Sequence, residues 1–398
     1  MKKNRIALLI GALLCAVGLA GWIYQLMNGL VVTNMRNPFS WGLYIASFEL
    51  FIGLATGGML LFSIAHLFHV DSLKPFARLG AWTSLGCAVA SGFIILADLG
   101  QPARVLQMLL TPNVKSPLFW DVVILGLFFL LCIAAIVAET RKSARLIRIL
   151  AVAALPYAVV LNAGTSLMFA LQRARAWWHS AILPADSVAV GVALGLSLMM
   201  LVCMISGGRS GFSAARPGFG VLAKTAATAL VVHLCFTALE LIPLAWGGTA
   251  EDRALLDLLF GRYGGLYAAE LLLPLVALVV FYSAKGRSSA LVLGAMDVLV
   301  MAGGLIHRMM LLYPAFNSIP LTIPVAGLEE NLWSYPISSG VLEAGKDLFV
   351  TSTAYVPSLT EWAVNLLPMG LVVLILALAA ALGLGLTGRG AEQRKVKA

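Results

Sequence analysis

Charge is scarce in this sequence. Of its 398 residues 11% are Asp, Glu, Lys or Arg, 61% are hydrophobic, and the mean hydropathy is +0.95. A soluble domain carries about 25% charged and 45–50% apolar residues, so this chain has too little polar surface to cover itself in water. The composition therefore excludes an ordinary soluble protein and points to a polytopic membrane protein. The 27 Lys and Arg exceed the 18 Asp and Glu to give +9; in such a chain this reads as basic loops on one side of a bilayer, not as nucleic-acid binding. The alternation expected of a barrel strand is absent, replaced by apolar runs of about 20 residues, which excludes an outer-membrane barrel.

Cysteine is also sparse. Cys15, Cys87, Cys132, Cys203 and Cys235 each fall inside an apolar run, without C-x-x-C spacing. This argues against an iron-sulfur cluster or metal site of the chain's own, and for buried small hydrophobes. Neither a G-x-x-x-x-G-K-[ST] loop nor a dinucleotide fingerprint occurs, so ATP and NAD have no recognisable site. Five histidines are present, His66, His69, His179, His233 and His307. Their expected depths match poorly, so haem is not expected, although one bis-histidine haem stays open.

What is present is a series of ten spans, expected at 6-27, 41-69, 78-98, 118-139, 146-171, 184-206, 222-246, 263-283, 290-313 and 362-386. Each is long enough to cross a hydrocarbon core of about 30 Å. The expectation is an all-α, single membrane domain (1-398), with four-helix bundles at about 41-171 and 184-313, one extra helix before and one after them, and an outer segment at 314-361. The first apolar run is longer than the h-region of a signal peptide (about 7–15 residues) and is expected to be retained as a helix. With the N-terminus inside, eighteen Lys and Arg fall in inner segments, eight in outer segments, and Arg308 within the ninth span. The positive-inside rule then places both termini in the cytoplasm. Seven tryptophans, Trp41, Trp120, Trp177, Trp178, Trp246, Trp333 and Trp362, fall at or beyond outer span ends; this suits an interface belt or a docking surface. The 314-361 segment, with Glu329, Glu330, Glu343, Asp347 and Glu361, reads as an ordered cap or partner contact.

Ionisable groups inside spans are costly and so mark functional candidates. Glu49, Glu240, Glu270 and Arg308 are expected in outer halves of spans, and Asp98 and Asp121 at outer ends. They could bind a polar headgroup and exchange protons, or form internal ion pairs such as Arg308 with a carboxylate. Asp297, His233 and His66 could continue a polar path toward the cytoplasm. The small residues Thr56-Gly57-Gly58 and Gly303-Gly304 suit close helix packing.

Three ordered segments carry a family resemblance. NPFSWGLYIASFELFIGLATGG (37–58), ADLGQPARVLQMLLTPNVKSPLFWD (97–121) and ARAWWHSAILPADSVAVGVALG (174–195), together with Glu270 before Pro274 and Arg308, resemble the polysulfide-reductase membrane-anchor family, also called NrfD-like or PsrC-like. The chain departs from the family pattern at Gln101, where Arg is common, and at Ala103, where an acid is common. The resemblance implies a quinone-reactive subunit of the bacterial inner membrane, exchanging electrons with the menaquinone or ubiquinone pool and carrying no haem or iron-sulfur cluster. It implies a ferredoxin-like iron-sulfur partner on the periplasmic face and a further molybdopterin or multihaem cytochrome catalytic subunit. The chain itself would not act on the terminal substrate, and proton translocation stays open.

Within that reading, Glu49 and Asp121 are the expected proton acceptors beside the headgroup. Asp98, Gln101, Arg104, Trp120, His179, Glu240, Glu270 and Arg308 are further headgroup candidates. Two other functions fit the same composition. A secondary transporter would show inverted-repeat similarity between halves, and none is visible; a passive anchor would assemble but fail to oxidise quinol.

Overall fold

The computed structural model describes residues 2–172, 175, 177–317, 355–382 and the short stretches 322–324, 332–334, 337–338 and 349–350; at 2–3, 109, 207–211, 214–215, 250–251, 322–324, 332–334, 337 and 350 only the backbone is described. Among the described residues, ten helices are long and apolar enough to cross a membrane. They are α1 Asn4–Asn28, α2 Leu43–Leu67, α3 Lys74–Asp98, α4 Pro117–Thr140, α5 Ala144–Ala170, α6 Leu183–Ser206, α7 Arg216–Gly247, α8 Gly264–Tyr282, α9 Ala290–Asn317 and α10 Leu359–Ala381. The fold is all-α and polytopic, as the apolar runs require. Pro217 lies inside the helical turns that link α6 to α7.

Successive spans run antiparallel. At one face, Gln25 Nε2 donates to the Ala97 carbonyl (2.7 Å), joining the ends of α1 and α3. At the other, His66 Nε2 lies 2.5 Å from Glu139 Oε1, joining the ends of α2 and α4. Helical geometry continues without a break over Leu183–Gly247, yet Asp186 and His233 side chains meet at 2.7 Å. On a straight helix 47 residues would separate them by about 70 Å. The chain therefore reverses within the helical turns linking α6 to α7, giving two spans as the sequence predicts.

The core gathers around α2, whose residues from Leu43 to Ala65 are almost all buried. It packs on α3, α5, α6 and α9. Glycine allows those approaches: a Cβ on Gly57 would sit 2.5 Å from Gly195 Cα, and one on Gly58 would sit 2.5 Å from the Gly80 carbonyl oxygen. Without a hydrophobic drive between helices in lipid, such close backbone contact supplies dispersion energy that bulkier side chains would prevent.

The terminal spans α1 and α10 lie side by side, with α10 also against α3. Gly18 faces the Leu367 backbone, where a Cβ would fall 2.3 Å from its nitrogen. The entry to α10 is fixed by Glu361, which is fully buried. It completes a capping box with Ser358, accepts from Asn34 N (2.9 Å) and receives the Tyr355 hydroxyl. Burial, then the Glu361 carboxylate, hold the Tyr355 phenol far above its ordinary range. Glu361 is thus a structural anchor at the end of the segment expected to be an ordered cap or a partner contact. Glu329, Glu330, Glu343 and Asp347 lie outside the described residues. Two short antiparallel ladders, Thr322–Pro324 with Leu332–Ser334 and Ile337–Ser338 with Phe349–Val350, lie in that segment.

Candidate functional site

The approach to α6 is pinned by two tryptophans. Trp177 Nε1 donates to the Met310 carbonyl (3.0 Å), and Trp178 Nε1 to that of Leu311 (2.7 Å). Trp178 is buried and stacks with Trp41 at 5.7 Å between centroids. Trp178 is buried and Trp41 and Trp177 are half-buried; Trp120, Trp246 and Trp362 are the exposed members of the set expected as an interface belt or a docking surface. The Trp333 side chain lies outside the described residues.

The register fixed by these rings aligns two successive residues of α6 with two of α9. Asp186 meets His307, with Oδ2 3.3 Å from Nε2. Ser187 accepts from Arg308 Nη1 at 2.8 Å. Neighbouring residues on a helix point about 100° apart, so the two pairs lead in different directions.

From Ser187 and Arg308 the polar contacts lead to α2. Arg308 is completely buried, and its Nη1 stands 3.6 Å from Glu49 Oε2. That is an ion pair but too long for a hydrogen bond. Both Glu49 oxygens, and Nε and Nη2 of Arg308, have no hydrogen-bond partner. Nearby on α4, Asp121 accepts from Thr165 Oγ1 at 2.7 Å, within electrostatic range of Glu49. The sequence alternative of an Arg308 ion pair and the placement of Glu49 near Asp121 hold together in one structure.

From Asp186 and His307 the contacts lead into α7 and α8. Asp186 Oδ1 is 2.7 Å from His233 Nδ1, and His307 Nδ1 is 2.7 Å from Glu270 Oε1. The two imidazoles meet edge to face, 4.8 Å between centroids. A narrow cleft borders this cluster, lined by Thr237, Glu240, Tyr267, Glu270 and His307 and closed by Trp177, Leu183, Leu241, Met310 and Leu311. Glu240 accepts from Ser180 Oγ at 2.8 Å. Three buried polar atoms here lack hydrogen-bond partners: the Tyr267 hydroxyl, Glu270 Oε2 and His307 Nε2. A smaller, mostly apolar cavity lies beyond His233 and His307, against Pro274, Gly303 and Gly304.

The comparisons agree with the helical architecture. The family model described as "Polysulphide reductase, NrfD" matches residues 31–320. The chain belongs to the NrfD family. It is 32% identical over 387 residues (89% of this chain, 85% of the relative) to a Halobacterium salinarum protein named as a membrane subunit of a dimethyl sulfoxide reductase. It is 23% identical to a selenate reductase subunit of Mesobacillus selenatarsenatis, covering 91% of this chain and 90% of that one. An Archaeoglobus fulgidus Hdr-like menaquinol oxidoreductase integral membrane subunit matches 48% of this chain and 49% of its own length at 22% identity. Like the two relatives named as membrane subunits, the chain is a multi-pass membrane protein.

The structure separates the sequence candidates into groups. Glu240, Glu270 and His307 border the cleft, and Glu49, Asp121 and Arg308 form the neighbouring cluster. Asp98 stands apart, at the end of α3 within electrostatic range of Glu361. Gln101, Arg104 and Trp120 are exposed on or beside the loop joining α3 to α4, and His179 is exposed with Nδ1 3.0 Å from the Ala170 carbonyl oxygen; none of these four lines the cleft. His66 pairs with Glu139 at the opposite face, whereas His233 belongs with Asp186, so the two are not successive members of one chain of contacts. Asp297 is buried, its carboxylate without a hydrogen-bond partner. Asp186, Ser187, Tyr267 and Thr165 were not singled out in the sequence. Asp186 had a legible signal: it is an acid inside an expected span, next to the tryptophan-histidine motif.

Proposed function

We propose that this chain is the quinone-reactive subunit of its complex, exchanging electrons between the menaquinone or ubiquinone pool and an iron-sulfur partner. The observation that carries this reading is the cleft, where the Tyr267 hydroxyl and Glu270 Oε2 have no hydrogen-bond partner and His307 Nε2 faces Asp186 Oδ2 at 3.3 Å. Its mix of apolar walls and a few convergent polar groups suits a ring bearing two oxygens. Buried polar atoms without partners cost roughly 1–3 kcal/mol each, a cost that a ligand's hydroxyl or carbonyl would remove.

Oxidation of a quinol releases two electrons and two protons. His307 and Glu270 are placed to take a proton from a ring oxygen, and the His307–Asp186–His233 contacts to hold it away from the cleft. Glu240 and Tyr267 would orient the ring. Electrons would leave toward the face that carries the α3–α4 loop, where Leu106, Leu110, Val114 and Trp120 are exposed. That apolar and aromatic surface suits the iron-sulfur partner, which in turn serves a molybdopterin or multihaem subunit. The positive-inside bias supports a periplasmic position for this face in an inner membrane with cytoplasmic termini.

Glu49 and Asp121 mark the second position for the headgroup, supported by the open hydrogen-bonding valences of Glu49 and Arg308. One panel separates the two. Quinol oxidation and the amount of assembled complex are measured together for Glu270→Gln, His307→Gln, Glu49→Gln and Asp121→Asn. Turnover reduced about 10²-fold or more in the first two, with assembly intact, is the expected result. Loss confined to Glu49→Gln and Asp121→Asn would move the headgroup to the α2–α4 side. Wild-type turnover in all four would overturn the quinone-reactive reading and leave a passive anchor.

A further inference from the structure

Asp186, His233 and His307 converge in a way that hydrogen bonding alone does not use up. One ligand atom from each of the three lies within 4.8 Å of the others, and all three residues are buried. The separation of 3.3 Å between Asp186 Oδ2 and His307 Nε2 is that of two ligands about 2.0 Å from one tetrahedral metal ion. His307 Nε2 has no hydrogen-bond partner. Its other ring nitrogen is bonded to Glu270 Oε1 at 2.7 Å. That carboxylate-imidazole contact on the far side of a ligand is the outer-sphere arrangement that orients metal-binding histidines.

Charge supports the same conclusion. Asp186 and Glu270 bring two buried carboxylates to two imidazoles, and the nearby Arg308 is engaged by Ser187 and Glu49. Two protons or one divalent cation would balance these carboxylates. An ion has a way in, because His307 and Glu270 border the cleft.

We infer that Asp186, His233 and His307 form a binding site for a divalent first-row metal of the zinc class, with Glu270 positioning His307. Two imidazole nitrogens and one carboxylate oxygen are the donor set such ions take, leaving a fourth position toward the cleft. Binding needs the most distant ligand pair to close by roughly 1–1.5 Å, which rotation of one imidazole supplies. The site stands whether or not the cleft takes a quinone; if it does, an ion there occupies the nitrogens that would receive protons and blocks turnover.

The test uses the full chain purified in detergent and Zn²⁺ alone. Equilibrium dialysis against ZnCl₂ with a competing chelator, read by metal content, should show one tight equivalent. X-ray absorption at the zinc edge should show two imidazoles at about 2.0 Å and no sulfur. Asp186→Asn and His233→Gln should each lose that equivalent. Glu270→Gln should weaken binding roughly 10- to 100-fold without abolishing it. His66→Gln and His179→Gln, which alter histidines outside the site, should bind as wild type.

Retention of less than about a tenth of an equivalent by the wild type would overturn the site, as would full binding by Asp186→Asn and His233→Gln. Should those variants elute as aggregates, the wild-type absorption spectrum decides: two imidazoles support the site, and sulfur or oxygen ligands alone refute it. Because a bound ion would itself block turnover, quinol oxidation is read on the metal-free protein in its complex: zinc binding with no oxidation by the metal-free form would refute the quinone reading while leaving this site intact, and oxidation by the metal-free form with no zinc binding would refute the site alone.

Discussion

At the residue scale, the balance of Arg308 and Glu49 is the most exposed to test. A guanidinium with no solvent access and one hydrogen bond, to Ser187, depends on the Glu49 carboxylate for charge compensation. Removing one member of a buried pair costs about 3–5 kcal/mol, because the other is left uncompensated. Arg308→Leu should therefore reduce the yield of folded protein sharply, and the double variant Arg308→Leu with Glu49→Leu should recover part of it. Thermal melting of the three proteins in detergent checks this. A double variant no better than Arg308→Leu would show that the ion pair is not what retains Arg308. Most of this cluster was legible in the sequence: an acid or base in an apolar run is conspicuous, so Glu49, Glu240, Glu270 and Arg308 could be named. Their partition was not legible, because it depends on the register of α6 against α9, and no periodicity within one helix reports that register.

At the scale of elements, the spans were readable because a run of about 20 apolar residues has few alternatives in a chain this hydrophobic. The packing was readable only in part. Gly57 and Gly58 announce close contacts, but only the structure shows that Gly57 meets Gly195 of α6 and Gly58 meets Gly80 of α3. A Cβ on Gly57 falls 2.5 Å from backbone, where no side chain can yield. Gly57→Leu should separate α2 from α6 and lower folded yield several-fold, as read by gel filtration, while Gly126→Ala in α4, where a Cβ meets nothing within 4 Å, should behave as wild type. Equal yields would remove the glycine contact from the account of stability. The tryptophans carry the opposite lesson. Their position at span ends suggested a surface belt, yet Trp177 and Trp178 donate inward to α9, because an indole N–H near the end of a bundle can reach a carbonyl left open there.

At the scale of the whole molecule, the absence of haem remains a prediction. The purified chain should show no reduced-minus-oxidised b-type absorption, since the two imidazoles that approach each other, His233 and His307, already meet edge to face and share Asp186. Stoichiometric haem in this chain alone would refute it. The side of the membrane is open to a similar test: crosslinks from the iron-sulfur partner should map to the α3–α4 loop and the segment before α6, and crosslinks confined to the α4–α5 turn would reverse the assignment. Finally, consider the paired contacts Asp186–His307 and Ser187–Arg308. Because both join the same two helices in a single register, they cannot slip independently. A slide of α9 along α6 by one residue, about 1.5 Å, would release the histidine cluster and the arginine–glutamate pair in one motion. The α6–α9 seam is thus a clutch: engaged, it keys the two charged clusters to one alignment, and disengaged, it releases both clusters at once.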